Sequence, residues 1–283
     1  MRIAISAEST IDLTKELIEK YDFKIVPFQI YLGNENRFDG EITCDEIIEF
    51  VDKNKILPKT GAVNEEQYRE HFTNILKDYD AVVHLSLSSE LSSAYSNAVK
   101  VAKDMKNVFV IDTRSLSTGI ALLAIYAKEL VDKGIEAENV YEKVKERIPF
   151  VQASFELKRL DYLYKGGRCG ALLYFGANLL KIHPQIVVKD GKMISGKKYR
   201  GSFQHVVKSY CSDTLIQFDN PDLKYGFITY TTASQDIIDS AMECMKERGF
   251  ENVYVTRAGG TITSHCGENC LGILYINDGN NHD

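Results

Sequence analysis

The sequence predicts an α/β protein in two parts: a parallel-sheet domain over residues 1–150 and an α+β domain with a largely antiparallel sheet over 151–283. Three observations carry this. Up to about residue 150, short apolar runs alternate with amphipathic helical stretches, the order that builds a parallel sheet with right-handed crossovers. From Phe150 onwards hairpin signals mix with returning helices, which suits an antiparallel sheet carrying helices on one face. In the middle of the first part, Val82 to Leu85 reads as a buried strand that ends in the hydroxyl-rich turn Ser86 to Ser93. The turn feeds a helix with Tyr95, Ala98, Val99 and Ala102 on its apolar face.

Taken in order, Arg2 to Ser6 is the first strand, and Asp12 starts a helix with Leu13, Leu17, Ile18 and Tyr21 on one side. Lys24 to Ile30 is a second strand whose Pro27 favours a sheet edge or strand end. The turn signals Gly33-Asn34 and Asp39-Gly40 precede a helix near Asp45 to Lys53. A loop from Leu57 to Asn64 contains Thr60, and Asn64 caps the helix that follows. Ser92 is the cap expected for the helix after the central strand. The segment Ile120 to Leu130 is apolar almost all round, as in a helix buried on most sides. In the second part, Phe150 to Phe155 is a strand, Leu157 to Tyr164 a short helix, and Gly166-Gly167-Arg168 lies in a tight glycine loop. Ala171 to Lys181 is a strongly apolar helix. Gln185 to Val188 pairs across Asp190-Gly191 with Met193 onward, the strongest short-range turn signal in the chain.

Composition narrows the function. Hydrophobic residues at 44% and charged residues at 26% suit a globular chain with a real core. A net charge of -6 disfavours a general nucleic-acid binder, which needs a concentrated basic surface. No run of eighteen apolar residues predicts a membrane span, and the N-terminus has no signal-peptide pattern, so a cytoplasmic protein with reduced cysteines is expected.

The chemistry-bearing residues fall in three polar segments: Thr60 in its loop, Ser88 to Ser93, and Ser264-His265. If they converge between the domains, Thr60, Ser92, Ser93, backbone amides and His265 can hold a carboxylate, because hydroxyls, amides and an imidazole donate to an anion without a full opposite charge. The plainer reading is a helix cap and a packed histidine. A Ser/His lipid hydrolase would need an orienting acid and a strained glycine frame, and Ser92 lacks the frame. His265, Cys266 and Cys270 do not have standard zinc spacing, so no metal is expected. The hairpin holds Lys189, Lys192, Lys197, Lys198 and Arg200 against Asp190 alone, either a solvated hairpin or a docking surface for an acidic partner or a nucleotide.

Seven short segments in this order resemble the DegV family, which includes the fatty-acid-binding subunits of bacterial fatty acid kinases. They are Ser9-Thr10-Ile11-Asp12-Leu13, Lys59 to Asn64, Ser88 to Tyr95, Ile111 to Ser115, Leu163 to Arg168, Lys198 to Gly201 and His265-Cys266-Gly267, and the similarity covers essentially the whole chain. The resemblance implies a two-domain, non-catalytic protein that buries a long-chain fatty acid between its domains and presents the carboxylate to a separate ATP-using kinase for phospholipid synthesis. By that resemblance Thr60, Ser92 and His265 contact the carboxylate, and Arg168 and Arg200 lie near the kinase. The absence of a Walker A motif agrees with a subunit that does not itself transfer phosphate. Leu172, Phe175 and Leu179, on the helix after the glycine loop, are expected to line the acyl chain, and no cofactor is expected. Gly61, Ala94 and Glu268 depart from residues common in the family, and Glu268 stands close in sequence to His265. Another amphipathic carboxylate is the alternative ligand.

Overall fold

The computed structural model describes residues 1–168 and 182–279. The first part runs β1 (Ile3–Glu8), α1 (Lys15–Tyr21), β2 (Lys24–Val26), β3 (Gln29–Leu32), β4 (Glu35–Phe38), α2 (Cys44–Asn54), β5 (Lys59–Gly61), α3 (Glu65–Ile75), β6 (Ala81–Ser86), α4 (Ala94–Ala102), β7 (Val108–Asp112), α5 (Thr118–Asp132) and α6 (Ala137–Arg147). The second runs β8 (Val151–Leu157), α7 (Asp161–Lys165), β9 (His183–Lys189), β10 (Lys192–Tyr199), α8 (Phe203–Gln217), β11 (Tyr225–Tyr230), α9 (Gln235–Arg248), β12 (Asn252–Arg257), α10 (Gly260–Cys266) and β13 (Cys270–Ile276).

Strands β2-β1-β6-β7 form an all-parallel sheet, as the alternating pattern predicts. Strands β10-β9-β8-β13-β11-β12 form the second sheet, antiparallel except for the β11–β12 pair. Helix α5 is buried on nearly every face and packs against β1 and β6 on one side and β8, β11 and β13 on the other. One core cluster therefore includes Ile5, Val83 and Leu123 together with Phe155, Phe227 and Leu274. A second cluster lies on the far face of the second sheet, beneath α8 and α9, and includes Val206, Tyr210, Ile228 and Ala241. The second sheet is thus covered on both faces, where the sequence suggested one.

Three local expectations are corrected. Asp12 does not start a helix: Ser9–Ile11 is a 3-10 turn, Asp12 is left-handed at φ 53, and α1 begins at Lys15 with Thr14 as its cap. Thr60 is on a strand: β5 pairs with β3 in a small antiparallel sheet, order β4-β3-β5, because Gln29 to Leu32 offers its remaining edge to Lys59–Gly61. Ser93, not Ser92, precedes α4, and the Ser92 hydroxyl accepts from the Ala94 amide at 3.1 Å. The cap at Asn64 is present as a full capping box with Gln67. The β9–β10 hairpin turns through Asp190 (φ 51) and Gly191 (φ 79), two successive left-handed residues as a type I′ turn requires. Its tip is tied to the first part, where the Ser88 hydroxyl donates to the Gly191 carbonyl at 2.8 Å and Arg114 donates to that of Asp190. A side chain at Gly191 would come within 2.5 Å of Ser88 Oγ, so the tip needs a glycine.

Glu156, fully buried on the β8 face that carries Ser154 towards Tyr210, has no partner for either carboxylate oxygen. Burial pushes it up to about 10, so it folds as the neutral acid. The folded value is raised above the unfolded one, so its contribution is fully present below about pH 4.5 and is lost as pH rises towards 10. The wild type is therefore expected to lose stability relative to Glu156→Gln between pH 5 and 9, by up to about 1.4 kcal/mol per pH unit. Parallel denaturation midpoints for the two proteins across that range would refute this.

Candidate functional site

A cavity of about 280 Å³ opens between the two sheets. It is close to the lower end of the usual range for small-molecule pockets, roughly 300–1,000 Å³. Its apolar wall includes Phe28, Leu87, Leu91, Leu116, Met193 and Leu274, drawn from strand ends and loops of both halves. Thr60, Ser92, Ser93, Arg168 and His265 line the same cavity. Residues separated by up to 205 positions thus form one polar end, and Ser93 and Arg168 bring it to the surface.

Each polar residue is placed by a different element. Thr60 sits in β5, opposite Ile30, and its hydroxyl lies 2.8 Å from His265 Nε2. Ser92 and Ser93 end the loop from β6 to α4, a loop set by Glu8. That buried carboxylate accepts from the Leu87 amide at 2.9 Å and from Ser86 and Tyr68 at 2.6 and 2.5 Å, and lies 3.1 Å from His84 Nε2. Arg168 follows the Gly166-Gly167 turn and donates to the Gly166 and Leu91 carbonyls at 2.8 and 3.5 Å.

His265 lies in the last turn of α10, on the side that also presents Thr261 and Ile262 to the cavity. Burial, then the nearby charge of Arg168, lowers it to about 4, so its ring is neutral at physiological pH. Its Nδ1 is buried without a partner. A Cβ at Gly166 would sit 2.7 Å from that atom, so the glycine loop is what lets the chain pass the ring. A neutral imidazole, three hydroxyls and an adjacent guanidinium are donors suited to a carboxylate.

The structure brings together Thr60, Ser92, Ser93, Arg168 and His265. It does not bring in Arg200, which is exposed after β10 and outside the cavity lining. Leu172, Phe175 and Leu179 lie outside the described residues. Glu268 also stays out of the lining and faces Lys158 at 3.5 Å. Sequence reasoning missed the apolar wall, because Leu87, Leu116 and Met193 look like ordinary strand-end and hairpin residues until the two sheets face each other. Among the described residues, no three His, Cys, Asp or Glu side chains gather as metal ligands, and no helix is long and apolar enough to cross a membrane.

Comparison with known proteins gives this arrangement a setting. A fatty acid-binding protein of Thermotoga maritima is 28% identical over 291 residues, covering 96% of each chain. A DegV domain-containing protein of Clostridium perfringens is 28% identical over 284 residues, covering 98% of this chain and 99% of the other. The solved structure of a DegV lipid-binding protein from Thermotoga maritima superposes with a TM-score of 0.84 at 27% identity, covering 98% of each chain. A DegV family protein from Thermus thermophilus, described as binding fatty acid, has the same fold at a TM-score of 0.91 and 24% identity, covering 98% of this chain and 100% of that one. The family model described as "Uncharacterised protein, DegV family" matches residues 2–278, and on that near-complete match the chain belongs to the DegV family.

Proposed function

We propose that this protein binds one long-chain fatty acid in the cavity between its sheets, with the carboxylate at Thr60, Ser92, Ser93 and His265 and the acyl chain along the apolar wall. The observation that carries this reading is the lining of this cavity, where Thr60, Ser92, Ser93, Arg168 and His265 stand together with the apolar side chains of Phe28, Leu87, Leu91, Leu116, Met193 and Leu274. Each methylene removed from water contributes about 0.8 kcal/mol, so the wall supplies most of the affinity and the polar end the orientation. The relatives described as fatty-acid-binding support the same ligand class.

The protein acts as a carrier and not as a hydrolase. His265 has one ring nitrogen on Thr60 and the other without a partner, so among the described residues no acid orients it towards Ser92. We further propose that the carboxylate is presented, beside the exposed Arg168, to a separate ATP-using kinase that forms the acyl phosphate in the cytoplasm. Arg200 supports that docking from outside the cavity. The lack of a Walker A motif in the chain supports the division of labour.

The deciding experiment is native mass spectrometry of protein purified from a bacterial host, followed by denaturation and lipid extraction. One equivalent of fatty acid is expected. A protein that is empty, and remains empty after incubation with a fatty-acid panel, refutes the reading.

A further inference from the structure

Helix α10 carries His265, yet it has only seven residues and begins at the glycine pair Gly259-Gly260. So short a helix has little persistence of its own, and its direction is set by what holds its ends. Two buried carboxylates from the first part of the chain hold the beginning. Asp12 Oδ1 accepts from the Gly259 amide at 2.7 Å. Asp39 accepts from the Gly260 amide at 2.7 Å and the Thr261 amide at 3.1 Å, one on each oxygen. The grip is close: a Cβ at Gly259 would lie 3.1 Å from the Asp12 carboxylate and 3.2 Å from that of Asp39.

The same two carboxylates reach other walls of the cavity. The Ser9 hydroxyl donates to Asp39 at 3.0 Å and accepts from the Phe28 amide at 3.1 Å. Ser117 Oγ lies 2.5 Å from Asp12 Oδ2. Ser117 has φ 52 and ψ -139, a backbone state that is strained for any residue but glycine and persists only where its surroundings hold it. Phe28, Ser117 and His265 all line the cavity, whereas neither aspartate does.

We propose that Asp39 and Asp12 are positioning residues, a paired clasp that sets α10 so that His265 meets the ligand's head group, and that this clasp underlies the preference for a carboxylate over an uncharged head. The inference rests on the fatty-acid reading given above. Asp39 is the more demanding member, since both of its oxygens receive amides and one also receives Ser9. An asparagine there turns an NH₂ group towards donors, and the helix start must shift to relieve it. Asp12 tolerates the amide better. Burial pushes it up to about 8, against the hydrogen bonds from Ser117 and Gly259 and with a smaller push from Asp39. Asparagine keeps an acceptor for Gly259, and the Ser117 hydroxyl, which donates to Asp12, can rotate to accept from the asparagine NH₂ instead.

The test compares the affinities of hexadecanoate and hexadecan-1-ol, which share a chain and differ in the head, by calorimetry at pH 7.5. In Asp39→Asn the acid-to-alcohol affinity ratio is expected to fall about tenfold, the effect of one misplaced charge-assisted hydrogen bond. Ser9→Ala, which removes one donor and preserves the fold if Asp39→Asn does not, is expected to lower the ratio by a smaller factor. Asp12→Asn retains more of the ratio than Asp12→Ala. An unchanged ratio in Asp39→Asn and Ser9→Ala overturns the proposal, and so does an equal loss for acid and alcohol, which marks a merely structural role. If the wild type binds acid and alcohol equally, the head-group assignment itself fails and this inference with it. Failure to bind either ligand refutes the fatty-acid reading.

Discussion

Replacing His265 with alanine is expected to weaken hexadecanoate binding about 10- to 100-fold, the loss typical of a hydrogen bond to a charged group in a largely buried setting. The side chain is mostly buried and lines the cavity, and its Nε2 is already aligned by Thr60 at 2.8 Å. Thr60→Val should weaken binding through the same contact, so the double variant is expected to lose less than the product of the two single losses. Hexadecan-1-ol, which brings no charge to the polar end, should discriminate far less between wild type and variant. Calorimetric titration of the four proteins measures all of this. A loss below about threefold for His265→Ala would show that the carboxylate is held elsewhere.

Glu8→Ala is expected to destabilise the protein by about 3–5 kcal/mol, the range for breaking a buried ionic network from one side. Glu8 is fully buried at the end of β1 and gathers the Leu87 amide, two hydroxyls and His84. Removing the carboxylate leaves these donors facing apolar packing. It also releases the strand end from which Ser88 to Ser93 departs, so ligand affinity should fall along with stability. The pH dependence has a definite sign. Burial alone would raise Glu8, but the charge of His84 and the hydrogen bonds from His84, Ser86 and Tyr68 together hold it below 4.5. A depressed carboxylate stabilises the fold above its unfolded pKa, and that stability is lost as the pH falls through the lower native value. Urea unfolding at pH 7 and at pH 4 and below should therefore show the gap between wild type and Glu8→Ala narrowing on acidification. A gap that stays constant would remove Glu8's ionisation from the account.

How much of the site the sequence shows depends on how local each feature is. The type I′ turn at Asp190-Gly191 and the capping box at Asn64 and Gln67 depend on neighbouring residues alone, so they are legible directly. Helix α5 announces its burial by being apolar all round, although not that it serves two sheets at once. Ser92 illustrates the limit. It is a good cap by type, but the chain enters α4 one residue later and leaves the Ser92 hydroxyl on the Ala94 amide at the cavity's edge. Asp12 and Asp39 go further: by type they are a helix start and a turn residue, and no local pattern indicates that both reach the amides beginning at Gly259.

The sequence by itself determined the alternating first half, the hairpin-bearing second half, the three polar segments and the seven short segments that resemble the DegV family, because periodicity, turn chemistry and residue order are properties of the chain. Only the tertiary structure decided that Thr60 stands on a strand within hydrogen-bond reach of His265, that Leu87 and Met193 share an apolar wall, and that two distant aspartates seat α10. The reason is physical. Contacts between segments far apart in sequence follow from which sheet edges pair and which faces are buried together, and those outcomes minimise exposed apolar surface and unpaired polar groups over the whole molecule.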